Sequence, residues 1–199
     1  LIFHVLVTQM IFLKVFTGLN IRLFLEKIRT AQLFAFSTSS SGATIPVTLQ
    51  TVQERLGVDR SVSSFCVPFG ATINMDGTAM MQGVATVFIA NIYGIDLGLN
   101  QYLLVIVTAV LASIGTAAVP SVGLVMLTLV FSQVGLPVEG IAIILGVDRL
   151  LDMVRTAVNV SGDAVVTTIV AKSENCIDLD IFNDPQAGII DNPHITPET

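Results

Sequence analysis

Tryptophan is missing from the 199 residues, and tyrosine, histidine and cysteine occur only twice each. The two histidines, His4 and His194, sit near the ends, so neither is placed for a Ser-His nucleophilic pair. Cys66 lies in an apolar run and Cys176 in an acidic stretch, which argues against a disulfide or a metal pair. Charge is scarce as well. Only 12% of residues are Asp, Glu, Lys or Arg, against about 25% in soluble domains. The nine basic residues form no cluster, which leaves nothing to hold nucleic acid. Lys and Arg are absent from Ser173 to Thr199, where six acids fall. The rest of the chain is neutral, so the net charge of −6 belongs to this tail.

What is abundant is hydrophobic, at 53%, with mean hydropathy +0.82. The composition is that of a membrane protein. The chain starts at Leu1, inside an apolar segment with neither a basic start nor a small-residue cleavage site. It therefore reads as a piece beginning within a spanning helix, not at a signal peptide.

Five apolar regions can be marked. Residues 1–23 are expected to be the end of a scaffold transmembrane helix. Residues 24–172 are expected to form one body: a hairpin at 24–57, a broken helix at 61–94, a hairpin at 100–136 and a helix at 138–172. Residues 173–199 are expected to be a solvated, acidic cytoplasmic tail. The second hairpin is too short for two spans of about 20 residues each. Its middle, "ASIGTAAVPSVG", is a poor aqueous loop. Two half-helices meeting at a non-helical tip fit it better, and "SSSGATIP" gives the first hairpin the same plan. Irregular backbone at membrane depth is tolerated only where protein or a cavity covers it. Paired broken segments point to an inverted-repeat transporter.

Basic residues follow one side of this arrangement. Arg22, Lys27 and Arg29, then Arg55 and Arg60, then Lys172 mark the cytoplasmic turns, while the turns near 95–100 and 133–140 carry no Lys or Arg. This makes the first hairpin open inward, the second outward, and the tail cytoplasmic.

Asp148, Asp152, Arg155, Thr156, Asn159 and Asp163 fall on one stripe, roughly 100° wide, of the last helix. One charge at a helix centre costs about 2.5–3.5 kcal/mol on insertion scales, so several on one stripe imply a polar interior. Asp152 and Arg155 could pair structurally, but that would leave Asp163 and Asp76 unexplained. "NMDGT" offers an unwound turn with carbonyl oxygens beside a carboxylate, a cage for a hard monovalent cation; the plainer alternative is a kink at Gly77. The tip Ser39-Ser40-Ser41-Gly42 opens a returning half-helix whose N–H groups attract an anion. Arg155 supplies a second anion site and Asp152 an ammonium partner. Two anion sites and one ammonium site describe an acidic amino acid.

At these motifs the chain resembles the carboxy-terminal half of the glutamate/aspartate transporters, the dicarboxylate/amino acid:cation symporters. The resemblance covers Leu1 to Lys172 and is carried by "SSSGATIP", "GATINMDGT", "ASIGTAAVP" and "DMVRTAVNVSGD". It implies an all-α, multi-span membrane protein with two re-entrant hairpins and broken helices, working as an elevator-type homotrimer in the plasma membrane. By matching positions it implies that Ser41, Thr78, Val119, Gly123, Asp152, Arg155, Thr156 and Asn159 hold substrate. It implies one sodium site at Gly70, Asn74, Asn159 and Asp163, and a second at Thr72, Ser113, Ile114 and Thr116. A third would use Asn74 and Asp76 with residues outside this chain. No catalytic residue and no organic cofactor is implied; the partners are the acidic amino acid or dicarboxylate, Na+ as coupling ion with H+ as the alternative, and the lipid bilayer.

The sequence departs from the family in places. Some relatives carry Arg at the position of Ser39 or of Met153, and this chain carries it at neither. Ala118 and Ser121 occupy hairpin positions that are often Gly, which bears on how freely that tip bends. Gln82 stands where proton-coupled animal relatives have Glu, and Asp163 where some proton-driven bacterial relatives have Asn; both point to sodium. The competing readings are a proton-coupled dicarboxylate or neutral amino-acid symporter of the same family, an ion channel, and an aspartyl protease. A channel needs no matched ammonium and carboxylate partners. The protease fails on geometry, because Asp152 and Asp163 are separated by roughly 16 Å of helix and a dyad needs contact.

Overall fold

The computed structural model describes residues 1–189; His194, Asp191 and Glu198 lie outside them. The described chain is helical, with a single isolated β-bridge between Val58 and Ile177. A π-helical turn, His4–Gln9, runs into α1 (Met10–Thr17). Gly18 closes α1 at φ 71°, a left-handed conformation that glycine adopts without strain. The Asn20 side chain accepts from Arg22 N and Leu23 N and starts α2 (Ile21–Thr38). Next come α3 (Ser41–Gln50), a π-helical turn at Thr51–Arg55, α4 (Arg60–Ile73), α5 (Asp76–Ile92), α6 (Leu99–Ile114) and α7 (Val122–Val134). A 3-10 turn at Val138–Gly140 leads into α8 (Ile141–Ser173), and α9 (Leu179–Asn183) follows.

α8 is the axis of the fold, packing against α1, α2, α3, α4, α5 and α7. Its two ends sit in separate apolar clusters. Ile144, near its start, joins Ile89, Leu127 and Phe131 from α5 and α7. Ala164, Val165 and Ala171, near its end, join Leu13, Phe24, Ile28 and Leu56. Burying each large apolar side chain contributes about 1.5–3 kcal/mol, and these clusters hold the two ends of α8 in place. Between them, the stripe itself is buried: Asp148, Asp152, Arg155, Thr156, Asn159 and Asp163 all face inward.

All three expected breaks occur. Asn74 and Met75 leave helical geometry between α4 and α5, at ψ 62° and 55°. Ser39, at φ 53°, separates α2 from α3. Residues 115–121 separate α6 from α7, and Ser121 lies at φ 62°. Gly77 is not the kink: it lies within α5. A Cβ there would meet Arg155 O and Asn159 Oδ1 at 3.0 Å each, so glycine permits α5 to lie directly on α8.

No helix of the described residues is long and apolar enough to cross a membrane. The breaks divide the apolar runs into short pieces, and the longer α2 and α8 carry charges. Segment 1–23 packs along α8, with Leu13 fully buried.

The start of the acidic tail is not a solvated extension. Asp178 N donates to Gly57 O at 2.7 Å and Asp59 N to Cys176 O at 2.9 Å. Phe182 is fully buried, and the Lys27 ammonium lies 5.6 Å from its ring centroid. Lys27 Nζ donates to Ile181 O at 2.7 Å and to Arg55 O at 2.5 Å. The apolar residues Ile177, Ile181 and Phe182, spaced among the acids, explain the docking: they give the segment enough surface to bury.

Candidate functional site

The polar stretch of α8 meets both tips and the break between α4 and α5. Ser41, Thr78, Val119, Gly123, Asp152, Arg155, Thr156 and Asn159 all line one small cavity, joined by Ser39, Met75, Thr116, Ala117 and Ala118. The cavity measures about 20 Å³, room for about one water.

Asp152 and Arg155 are both buried and paired through Oδ1 and Nη2. The other Asp152 oxygen accepts from Ser121 N at 2.8 Å, at the start of α7. Arg155 Nη1 is buried and has no hydrogen-bond partner among the described residues. A Cβ on Gly123 would fall 2.5 Å from that same nitrogen, so glycine at this position makes room for the guanidinium. A buried guanidinium with one nitrogen unpaired is an anion site in waiting. Asn159 accepts from Gly77 N at 2.8 Å and donates to Thr78 Oγ1 at 3.2 Å, tying α5 to α8.

The two tips touch. Ser40 Oγ and Gly42 N both donate to Ala118 O, at 2.8 and 3.0 Å. This revises the anion site expected at the Ser-rich tip. Gly42 N is engaged by Ala118, and Ala43 N donates to Ser40 Oγ at 3.1 Å. Two N–H groups at the start of α3 are therefore spent within the protein.

The expected cation residues separate into groups. Asn74 Nδ2 donates to Asp163 Oδ1 at 3.0 Å, and a Cβ on Gly70 would sit 2.6 Å from that oxygen. Gly70, Asn74 and Asp163 therefore converge, and bare glycine lets the carboxylate approach the backbone. Asp76 turns instead to His4, whose Nε2 lies 3.0 Å from Asp76 Oδ2. α4 and α6 also touch, but no side-chain hydrogen bond among the described residues joins Thr72 to Ser113, Ile114 or Thr116. Thr72 and Ser113 bond carbonyls of their own helices, Phe69 O and Val110 O, and Thr116 bonds Ala112 O of the preceding helix. Among the described residues no three His, Cys, Asp or Glu side chains gather into a metal cluster. The donor set near Asp163 is one carboxylate with amide and carbonyl oxygens, which suits a hard monovalent cation better than a transition metal.

Ser40 and Ala118 were named in the two tips, but their contact runs from a hydroxyl to a backbone carbonyl, which leaves no sequence signal. His4 and Gln9 were legible only as polar residues in an apolar run.

Comparison with known proteins agrees with this geometry. Residues 1–173 match the profile of the sodium:dicarboxylate symporter family. The chain belongs to that family. It is 48% identical over 167 residues to a Caenorhabditis elegans excitatory amino acid transporter, covering 84% of this chain and 33% of the relative. It is 51% identical over 142 residues to human excitatory amino acid transporter 3, covering 71% and 27%. Human excitatory amino acid transporter 2 is 47% identical over 154 residues, covering 76% and 27%. The chain thus spans about a third or less of these relatives. By its description that family is one of symporters.

Proposed function

We propose that the protein carrying this chain is a secondary active symporter that couples Na+ entry to uptake of an acidic amino acid, glutamate or aspartate. The observation that carries this reading is the buried Asp152–Arg155 pair facing one cavity, with Arg155 Nη1 unpartnered. A substrate carboxylate meets that guanidinium, and the ammonium group meets Asp152. Ser41, Thr78, Thr156 and Asn159 bind its remaining polar atoms, and Val119 and Gly123 close over it.

The cavity is far smaller than an amino acid, so entry requires the tips to part. The bonds to Ala118 O are the ones that must break. We assign the lid to residues 113–123, whose ties to the rest of the fold are few: the Ala118 contacts, Ser121 N donating to Asp152, and Gln82 Nε2 donating to Gly123 O at 3.3 Å. The Na+ sites are Gly70, Asn74, Asn159 and Asp163 for one ion, and Thr72, Ser113, Ile114 and Thr116 for another. Asn74 and Asp76 contribute to a third. Filling the first neutralises Asp163 and steadies the break on which Thr78 stands, so ion binding favours substrate binding.

The wider reading is a homotrimer of elevator type in the plasma membrane, with two re-entrant hairpins and a cytoplasmic tail. Large apolar side chains left exposed, among them Phe3, Phe16, Phe65, Leu99 and Val125, support a lipid or protein covering. The test is radiolabelled glutamate and aspartate uptake by the whole transporter, with Na+ and pH varied separately. Uptake that saturates and requires Na+ supports the reading; uptake indifferent to Na+ refutes it.

A further inference from the structure

The π-helical turn at the start of the chain has a consequence for the cation site. Residues five apart on an α-helix point about 140° away from each other. A π-helical turn closes i to i+5, which brings His4 and Gln9 to one face. His4 lies against Asp76, on the α5 side of the break. Gln9 reaches α8: its Nε2 donates to Val158 O at 3.2 Å. A Cβ on Gly162 would lie 3.0 Å from Gln9 Nε2 and 2.8 Å from Asn74 Nδ2. The Gln9 amide therefore sits beside the Asn74–Asp163 pair, over a glycine that leaves space for both amides.

Gln9 is 3% exposed, and its Oε1 has no partner among the described residues. Turning the amide over would set that oxygen against the Val158 carbonyl, acceptor against acceptor, so the present orientation is fixed by its surroundings. A buried amide oxygen without a donor is costly. A cation relieves that cost.

We propose that Gln9 is a specificity-determining residue of the cation site, its Oε1 a neutral oxygen available to the ion held by Asn74 and Asp163. The inference rests on the Na+-coupled reading above. A neutral oxygen adds affinity without adding charge, and it suits a cation that keeps several oxygen contacts over one that binds fewer.

The experiment is uptake by the whole transporter, comparing wild type with Gln9→Leu, Gln9→Met and Gln9→Glu, with Na+ and Li+ titrated at saturating substrate. Surface amount is measured alongside, and Gln9→Met serves if Gln9→Leu fails to reach the membrane. Both apolar variants should raise the Na+ concentration for half-maximal uptake about three- to tenfold and narrow the Na+/Li+ preference. Gln9→Glu should keep wild-type Na+ affinity or tighten it, and substrate half-saturation at high Na+ should stay put. Unchanged Na+ dependence in the apolar variants overturns the proposal and leaves the oxygen to a structural water. Wild-type uptake that ignores Na+ overturns the coupled reading itself, a result distinguishable because it appears before any substitution.

Discussion

Gly42 and Ala118 join the two tips of the fold. The Gly42 N–H donates to Ala118 O at 3.0 Å, and a Cβ on Gly42 would stand 3.0 Å from that same oxygen. The contact is backbone to backbone, so only glycine allows it without displacement. Gly42→Val should push the tips apart. With Cys66 and Cys176 replaced, a cysteine at position 117 should react with a thiol reagent faster when Gly42→Val is present. A bulky substrate-like blocker should raise the rate in the parent as well. Equal rates in all states would remove the lid assignment.

Asp163 is held by the Asn74 amide and approached by the Gly70 backbone. Asp163→Asn removes the one carboxylate from this cluster while keeping its shape. The Na+ requirement for substrate binding should rise about 10- to 100-fold, the worth of a hydrogen-bonded charge, with membrane insertion intact. Na+ titration of substrate binding checks it, and an unchanged titration curve would exclude Asp163 as a ligand.

The tail segment from Ser173 to Asn183 is pinned by Phe182 and by the bonds at Gly57 and Lys27. Phe182→Ala should cost about 3–5 kcal/mol locally, more than a few backbone bonds can offset. Limited proteolysis should then cut between 173 and 189 at an accelerated rate, while cleavage within α8 stays slow. Resistance equal to wild type would mean that the segment is held by something other than this ring.

The α8 stripe was legible because its polar residues recur at helical spacing in an apolar background, and periodicity survives any detail of packing. The eight positions that the family resemblance implied for the substrate line one cavity, because they come from one helix face and from three breaks that meet it. The tip-to-tip bonds were hidden, since Ala118 contributes a carbonyl and no side chain. An unwound turn was legible in "NMDGT", but not which residues unwind: Asn74 and Met75 make the break, and Gly77, the plainer alternative for a kink, is spent on helix contact. The tail was judged by its acids, and three spaced apolar residues outweighed them. Gln9 could have been found as an amide inside an apolar segment, but its partner is 149 residues away.

The central claim is that Arg155 recognises a second carboxylate, and competition binding to Arg155→Cys in the whole transporter tests it most directly. The Arg155–Asp152 pair is buried, so a ligand lacking that carboxylate leaves the guanidinium unmatched, an effect of about 2–5 kcal/mol. Arg155→Cys should lose aspartate and gain ground for serine, alanine or cysteine. Asp152→Ser, run in parallel, should weaken amino acids more than succinate. A variant Arg155→Cys that still prefers aspartate to serine as strongly as wild type would contradict the account and leave Arg155 as a structural partner of Asp152.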